Sequence, residues 1–119
     1  MAKTIMVVDD ETDNRNTVKT ILEKNGYTVV TAVNADDCLK QLGKVKPDLI
    51  LLDIMMPGTP IGKIVPKIKD TKIIYLTAVR LSEAETEDLF KDKKNIVGFI
   101  NKPYDINDLL KKVKNAVGA

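Results

Sequence analysis

Residues able to do chemistry recur in this sequence at one kind of place, directly after an apolar run. Asp9 and Asp10 follow Ile5-Met6-Val7-Val8, Asp53 follows Leu49-Ile50-Leu51-Leu52, and Thr77 follows Ile73-Ile74-Tyr75-Leu76. A fourth run, Ile96–Ile100, leads into Asn101, Lys102 and Pro103. Adjacent aspartates repel, and a carboxylate at the end of a buried segment is costly unless something positive meets it. Three carboxylates with no imidazole or thiol among them suit a hard cation with oxygen ligands. Mg2+ fits best, since it takes one or two carboxylates, keeps several waters and accepts phosphate oxygens as further ligands. Beside such an ion Asp53 could act as a carboxylate nucleophile that accepts a phosphoryl group. Lys102 would supply a point positive charge for a phosphoryl oxygen. Thr77 would add one hydroxyl donor. Ala78 is small enough to leave room, and its backbone N–H is a further candidate donor.

Each residue also has a plainer role. Acids are favoured at a helix N-terminus in any case. Asp53 could be a turn aspartate, Lys102 a solvated lysine, Thr77 a β-branched strand residue and Ala78 a spacer. What argues for the site is that all of them fall at matching ends of successive apolar runs.

Those ends must be brought together by the elements between them. Thr4–Asp9 reads as a strand. Asp13–Asn25 reads as a helix with Val18, Ile21 and Leu22 at helical spacing, stopped by Gly26. Tyr27–Ala32 is a strand, and Asn34–Gly43 a helix with Asn34 as N-cap and Leu39 and Leu42 inward. Asp48–Asp53 is a continuous apolar run of the kind found in a central parallel strand buried on both faces. The Pro- and Gly-rich "IMMPGTPIG" is a loop. Gly62–Lys69 allows a short helix, kept short or irregular by Pro66. Lys72–Thr77 is a strand. Ser82-Glu83-Ala84-Glu85 is a capping box that opens a helix to about Lys93. Ile96–Ile100 is the fifth strand. Asp105 caps a final helix to Val117, with Leu109, Leu110, Val113 and Val117 inward. Alternation of strands and helices of this kind gives an α/β fold, a parallel sheet with helices on both faces. In such a sheet ligands bind at the carboxyl ends of the strands, where these polar residues fall.

Composition narrows the function. The 119 residues fit one domain, and 19 basic against 17 acidic residues leave a net charge of +2, too small to argue for nucleic acid. The one cysteine, Cys38, excludes an internal disulfide framework and reads as a small buried hydrophobe. Met1–Thr4 leads straight into a strand without a signal peptide, and no apolar run is long enough to span a bilayer. A cytoplasmic protein without membrane insertion is the expectation. Histidine is absent, which removes the usual general base and the usual phospho-histidine carrier.

The motifs "VVDDE" (Val7–Glu11), "LLDIMMPG" (Leu51–Gly58), "LTA" (Leu76–Ala78) and "FINKPY" (Phe99–Tyr104), in this order along the whole chain, resemble the response-regulator receiver domains of two-component signalling, the CheY-like family. The resemblance implies a single receiver domain over residues 1–119, a doubly wound flavodoxin-like fold and strand order 2-1-3-4-5. It implies Asp53 as phospho-acceptor and Asp10 as the acid that binds Mg2+ directly. Asp9 would act through water, and Met55 would lend its backbone carbonyl. Mn2+ is a possible substitute. Thr77 and Lys102 match the pair that contacts the phosphoryl group. Phe99 matches the aromatic switch residue, and Lys102-Pro103 a bond that is usually cis in the family. Met55 and Val79 stand at the positions that flank the hydrolytic water. The chain departs from the pattern in an extra residue before Gly62 and a shorter stretch from Asp53 to Thr77. The third helix is therefore expected to be short.

The implied function is Mg2+-dependent transfer of a phosphoryl group to Asp53 from a histidine kinase or phosphotransfer protein. The transfer would switch the face of the fourth helix, fifth strand and fifth helix for an output protein. Lys91, Lys93, Lys94, Lys111, Lys112 and Lys114 give that face a basic tint, read either as solvated or as complementary to an acidic partner. A monomer or weak dimer that catalyses only its own phosphorylation and dephosphorylation is expected, not an enzyme acting on other substrates. A haloacid dehalogenase-type phosphatase needs an Asp-x-Asp pair with the nucleophile first, and the acids here are adjacent. A nucleotide-binding module would need a glycine-rich phosphate loop, which is missing. A pseudo-receiver that binds partners without phosphorylation is the remaining alternative.

Overall fold

A strand buried along its whole length must lie inside a sheet covered on both faces, and Leu49–Asp53 is such a strand. The computed structural model describes residues 3–54, 65–68, 70–77, 95–101 and 104–118. The strands are β1 (Thr4–Val8), β2 (Thr28–Ala32), β3 (Leu49–Asp53), β4 (Lys72–Thr77) and β5 (Ile96–Asn101). They form one parallel sheet in the order β2-β1-β3-β4-β5. The described α-helices are α1 (Thr12–Lys24), α2 (Ala35–Leu42) and α3 (Ile106–Val117).

Side-chain alternation along the strands divides the core in two. Ile5, Val7, Leu49, Leu51, Ile74 and Leu76 face α1 and α3, meeting Val18, Leu22, Leu109 and Val113. Met6, Val8, Ile50, Leu52, Ile73 and Tyr75 face α2 and a 3-10 turn at Val65–Lys67, meeting Ala35, Cys38, Val65 and Ile68. A sheet covered on both faces is thus the arrangement the sequence implies.

Capping sets the helix ends. Asn34 accepts a hydrogen bond from the Asp37 amide at 2.8 Å, and Asp105 accepts one from Asn107 at 2.7 Å. At the end of α1, Gly26 takes φ +90°. Its amide donates to the Glu23 carbonyl, and the Tyr27 amide donates to that of Leu22. This pair of bonds closes the last turn and needs the left-handed residue between them.

The boundaries shift in small ways. β1 stops at Val8, and α1 starts at Thr12, one residue before its expected start. Asp48 lies outside β3, with its carboxylate accepting from the Thr4 amide at 2.8 Å. β5 runs one residue further, to Asn101. Within the expected third helix the described residues form only the 3-10 turn around Pro66, which cannot donate to a helical ladder. The expected helix at Ser82–Lys93 lies outside the described residues. The inner faces also differ from the periodicity. Ala35 and Cys38 are the buried residues of α2, while Leu39 and Leu42 are half-buried. Ala116 is buried on α3, while Leu110 and Val117 are half-buried. On α2 the small side chains meet the sheet and the larger ones flank the contact, while on α3 Leu109 and Val113 are buried together with Ala116.

Candidate metal and phosphoryl-acceptor site

Sheet register builds the site. Val8 pairs with Leu52, so the residues that follow them, Asp9 and Asp53, lie side by side at the carboxyl edge. Asp53 pairs with Leu76, and Thr77 with Asn101, which continues the same edge across β4 and β5. Between β1 and β3 the chain's connections diverge to opposite sides of the sheet. This is the switch point at which open α/β sheets bind ligands.

Asp9, Asp10 and Asp53 each bring a carboxylate oxygen within 4.8 Å of the others. Asp9 is 1% exposed and Asp53 5%, while Asp10 is exposed. The adjacent aspartates therefore divide between interior and solvent. The Asp9 amide donates to the Ala32 carbonyl at 3.2 Å, and its Oδ1 accepts from the Glu11 amide at 2.9 Å. The Asp9 carbonyl accepts from Arg15 Nη1 at 2.7 Å. Asp53 is followed by an Ile54 amide that donates to the Leu76 carbonyl at 3.1 Å, so the sheet holds the chain through the end of β3. Two buried carboxylates beside a third acid form an electronegative pocket, and a divalent cation would offset the repulsion. Oxygens sharing one octahedral Mg2+ sit about 3 to 4 Å apart. The cluster could therefore hold a divalent ion.

Phe99 is half-buried on β5, opposite Tyr75 of β4. The two rings meet edge to face at 6.1 Å between centroids and 73° between planes. The Phe99 carbonyl accepts from Lys112 Nζ at 3.1 Å, and Lys112 also pairs with Asp108 at 3.2 Å. Lys112 is therefore tied to β5 and to its own helix. Burial pushes the Tyr75 phenol up to about 12. Burial, with Asp37 adding, pushes the Cys38 thiol up to about 11. Both groups stay protonated and neutral at ordinary pH, and Cys38 sits in the core with its Sγ 3.7 Å from Met6 Sδ.

Among the expected site residues, Asp9, Asp10 and Asp53 come together, and Phe99 lies two strands away on β5. Met55, Ala78, Val79, Lys102, Pro103 and the Thr77 side chain lie outside the described residues, as do Lys91, Lys93 and Lys94. Two residues at the site escaped the sequence reading. Arg15 carried a signal, a cation in the first turn of a helix where cations are disfavoured. Tyr75 carried little, because an aromatic residue inside an apolar strand reads simply as core.

Comparison with known proteins agrees with this geometry. A family model described as the response regulator receiver domain matches residues 5–114. The chain belongs to this family. It is a signalling module of two-component response regulators rather than a classical enzyme. The phosphate regulon transcriptional regulatory protein PhoB of Escherichia coli is 34% identical over 96% of this chain, which spans about half of PhoB (51%). Protein PilG of Pseudomonas aeruginosa is 32% identical, over 92% of this chain and 84% of PilG. The response regulator TrrA of Thermotoga maritima, solved in complex with Mg2+-BeF, superposes with a TM-score of 0.80 at 33% identity, covering 96% of this chain and 98% of TrrA.

Proposed function

We propose that this receiver domain, acting as one module over residues 1–119, accepts a phosphoryl group on Asp53. The observation that carries the proposal is the convergence of Asp9, Asp10 and Asp53, two of them buried, at the switch point of the sheet. The Mg2+-BeF complex of TrrA supports the choice of ion. Asp10 and Asp53 would hold Mg2+ directly, with the Met55 carbonyl, and Asp9 would hold it through water. Mn2+ is a possible substitute. Bound there, the ion supplies positive charge against the negative charge of the incoming phosphoryl group.

A carboxylate oxygen of Asp53 attacks phosphorus, the O–P bond forms, and the donor's P–N bond breaks to release its imidazole. Residues 1–119 contain no histidine, so the donor imidazole lies outside them, on a histidine kinase or a phosphotransfer protein. Lys102, before Pro103, would hold a phosphoryl oxygen by charge, while the Thr77 hydroxyl and the Ala78 amide would contact others. The new charge biases a two-state equilibrium in which Thr77 and Phe99 move together. The face of β5 and α3 then changes its affinity for an output protein. The domain works in the cytoplasm as a monomer or weak dimer and catalyses only the gain and loss of its own phosphoryl group.

Adding Mg2+ with beryllium fluoride and following backbone amide shifts tests the reading. Shifts at Glu11, Ile54 and Phe99 are expected in the wild type and not in Asp53→Ala. Identical responses in both proteins would overturn it.

A further inference from the structure

Arg15 occupies a place where a cation is disfavoured. It lies in the first turn of α1, where the helix dipole and unpaired amides repel positive charge. Its side chain nevertheless folds back toward that N-terminus. Nη1 donates to the Asp9 carbonyl at 2.7 Å, and Nη2 donates to Thr12 Oγ1 at 3.1 Å. An arginine that reaches a carboxylate ordinarily forks onto it. Here both donors go to uncharged acceptors, and among the described residues Arg15 makes no ion pair.

We infer that Arg15 is a positioning residue for the cation site. Its guanidinium fixes the Asp9 main chain without occupying the carboxylate oxygens that an ion needs. The turn after β1 is pinned at three points of Asp9: the amide on Ala32, the carbonyl on Arg15 and Oδ1 on the Glu11 amide. Asp10 follows directly, so the bond that sets the Asp9 carbonyl also sets the direction in which the next side chain leaves. A lysine would keep the charge but not the planar fork.

The inference rests on the divalent-ion reading of the acid cluster, and the test separates the two. Mn2+ binding is measured by electron paramagnetic resonance for wild type, Arg15→Lys and Arg15→Gln, with thermal unfolding of each recorded in parallel. Loss of a group that orients ligands from behind weakens affinity about 10- to 100-fold. Arg15→Lys is expected to weaken Mn2+ binding about 10-fold although the charge is kept. The Glu11 amide shift should move in the ion-free variant, reporting the loosened turn. Unchanged affinity in Arg15→Lys with tighter binding in Arg15→Gln would mean that Arg15 acts only as a repelling charge, and would overturn the inference. Lower unfolding temperature with unchanged affinity in both variants would also overturn it. A wild type that binds no Mn2+ would defeat the underlying reading itself, and the inference with it.

Discussion

At the scale of single residues, the fold treats two neighbouring aspartates differently. Asp9 is buried and held through its amide, carbonyl and Oδ1, while Asp10 is exposed. Burial fixes one acid as a rigid wall and leaves the other to meet solvent or an ion. Met55 and Val79 give a first prediction at this scale. Both are apolar, so neither can orient an attacking water by hydrogen bonding. A phosphoryl group on Asp53 should outlast by far the seconds range, which a decay series on labelled protein in Mg2+ buffer would measure. Loss of most label within seconds would contradict it. A second prediction concerns pH. The Cys38 thiol and Tyr75 phenol have folded pKa values raised from 9.0 and 10.0 to about 11 and about 12. Between the unfolded and folded values the folded chain holds more protons than the unfolded one. The stabilisation is therefore complete below about pH 9 and lost as pH rises toward 12. Urea midpoints should fall between about pH 8 and about pH 10.5, and the fall should be smaller in Cys38→Ala.

At the scale of elements, the predictions concern ends and faces. Gly26 lies at φ +90°, and a Cβ there would meet nothing within 4 Å. Gly26→Ala should therefore cost only the backbone term for a left-handed residue, about 1 to 2 kcal/mol in chemical unfolding. Asn34→Ala removes the cap of α2 and should cost about 1 kcal/mol in the same measurement. Leu51→Ala, in a strand with no exposed residue, should cost about 2 to 5 kcal/mol. Strands were the most legible elements. A run such as Leu49–Leu52 has no polar alternative to burial, and β4 begins and ends where its apolar pattern does. Helix faces were less legible. Periodicity favours large residues, yet Ala35 and Cys38 took the buried positions of α2, and Ala116 joined Leu109 and Val113 on α3. Asp48 looked like the start of a strand because it adjoins an apolar run. Its carboxylate instead caps the opening amide of β1.

At the scale of the whole molecule, register is what turns scattered residues into a site. Asp9 and Asp53 are far apart in sequence, and only the pairing of Val8 with Leu52 makes them neighbours. The acid cluster was legible because each member ends an apolar run, and parallel strands bring such ends to one edge. The Arg15 contact was not, because it depends on a side chain turning back against its own helix. The Tyr75–Phe99 contact was hidden for a related reason. It needs the β4–β5 register, which shifts between Ile73 and Ile74, where Ile73 pairs with Ile96 and Ile74 with Gly98. The ring contact and the bond from Lys112 to the Phe99 carbonyl join β5 to β4 and to α3. Any movement of Phe99 on phosphorylation would therefore reach the outer face through these two links.

The measurement that bears most directly on the central claim is labelling with acetyl phosphate, read by intact mass, with and without Mg2+ and beside Asp53→Asn. The account predicts a gain of one phosphoryl group that requires Mg2+ and is absent from the variant. No label under any condition, or equal labelling of Asp53→Asn, would contradict the assignment of Asp53 as the acceptor. The former result would favour a domain that binds its partners without phosphorylation.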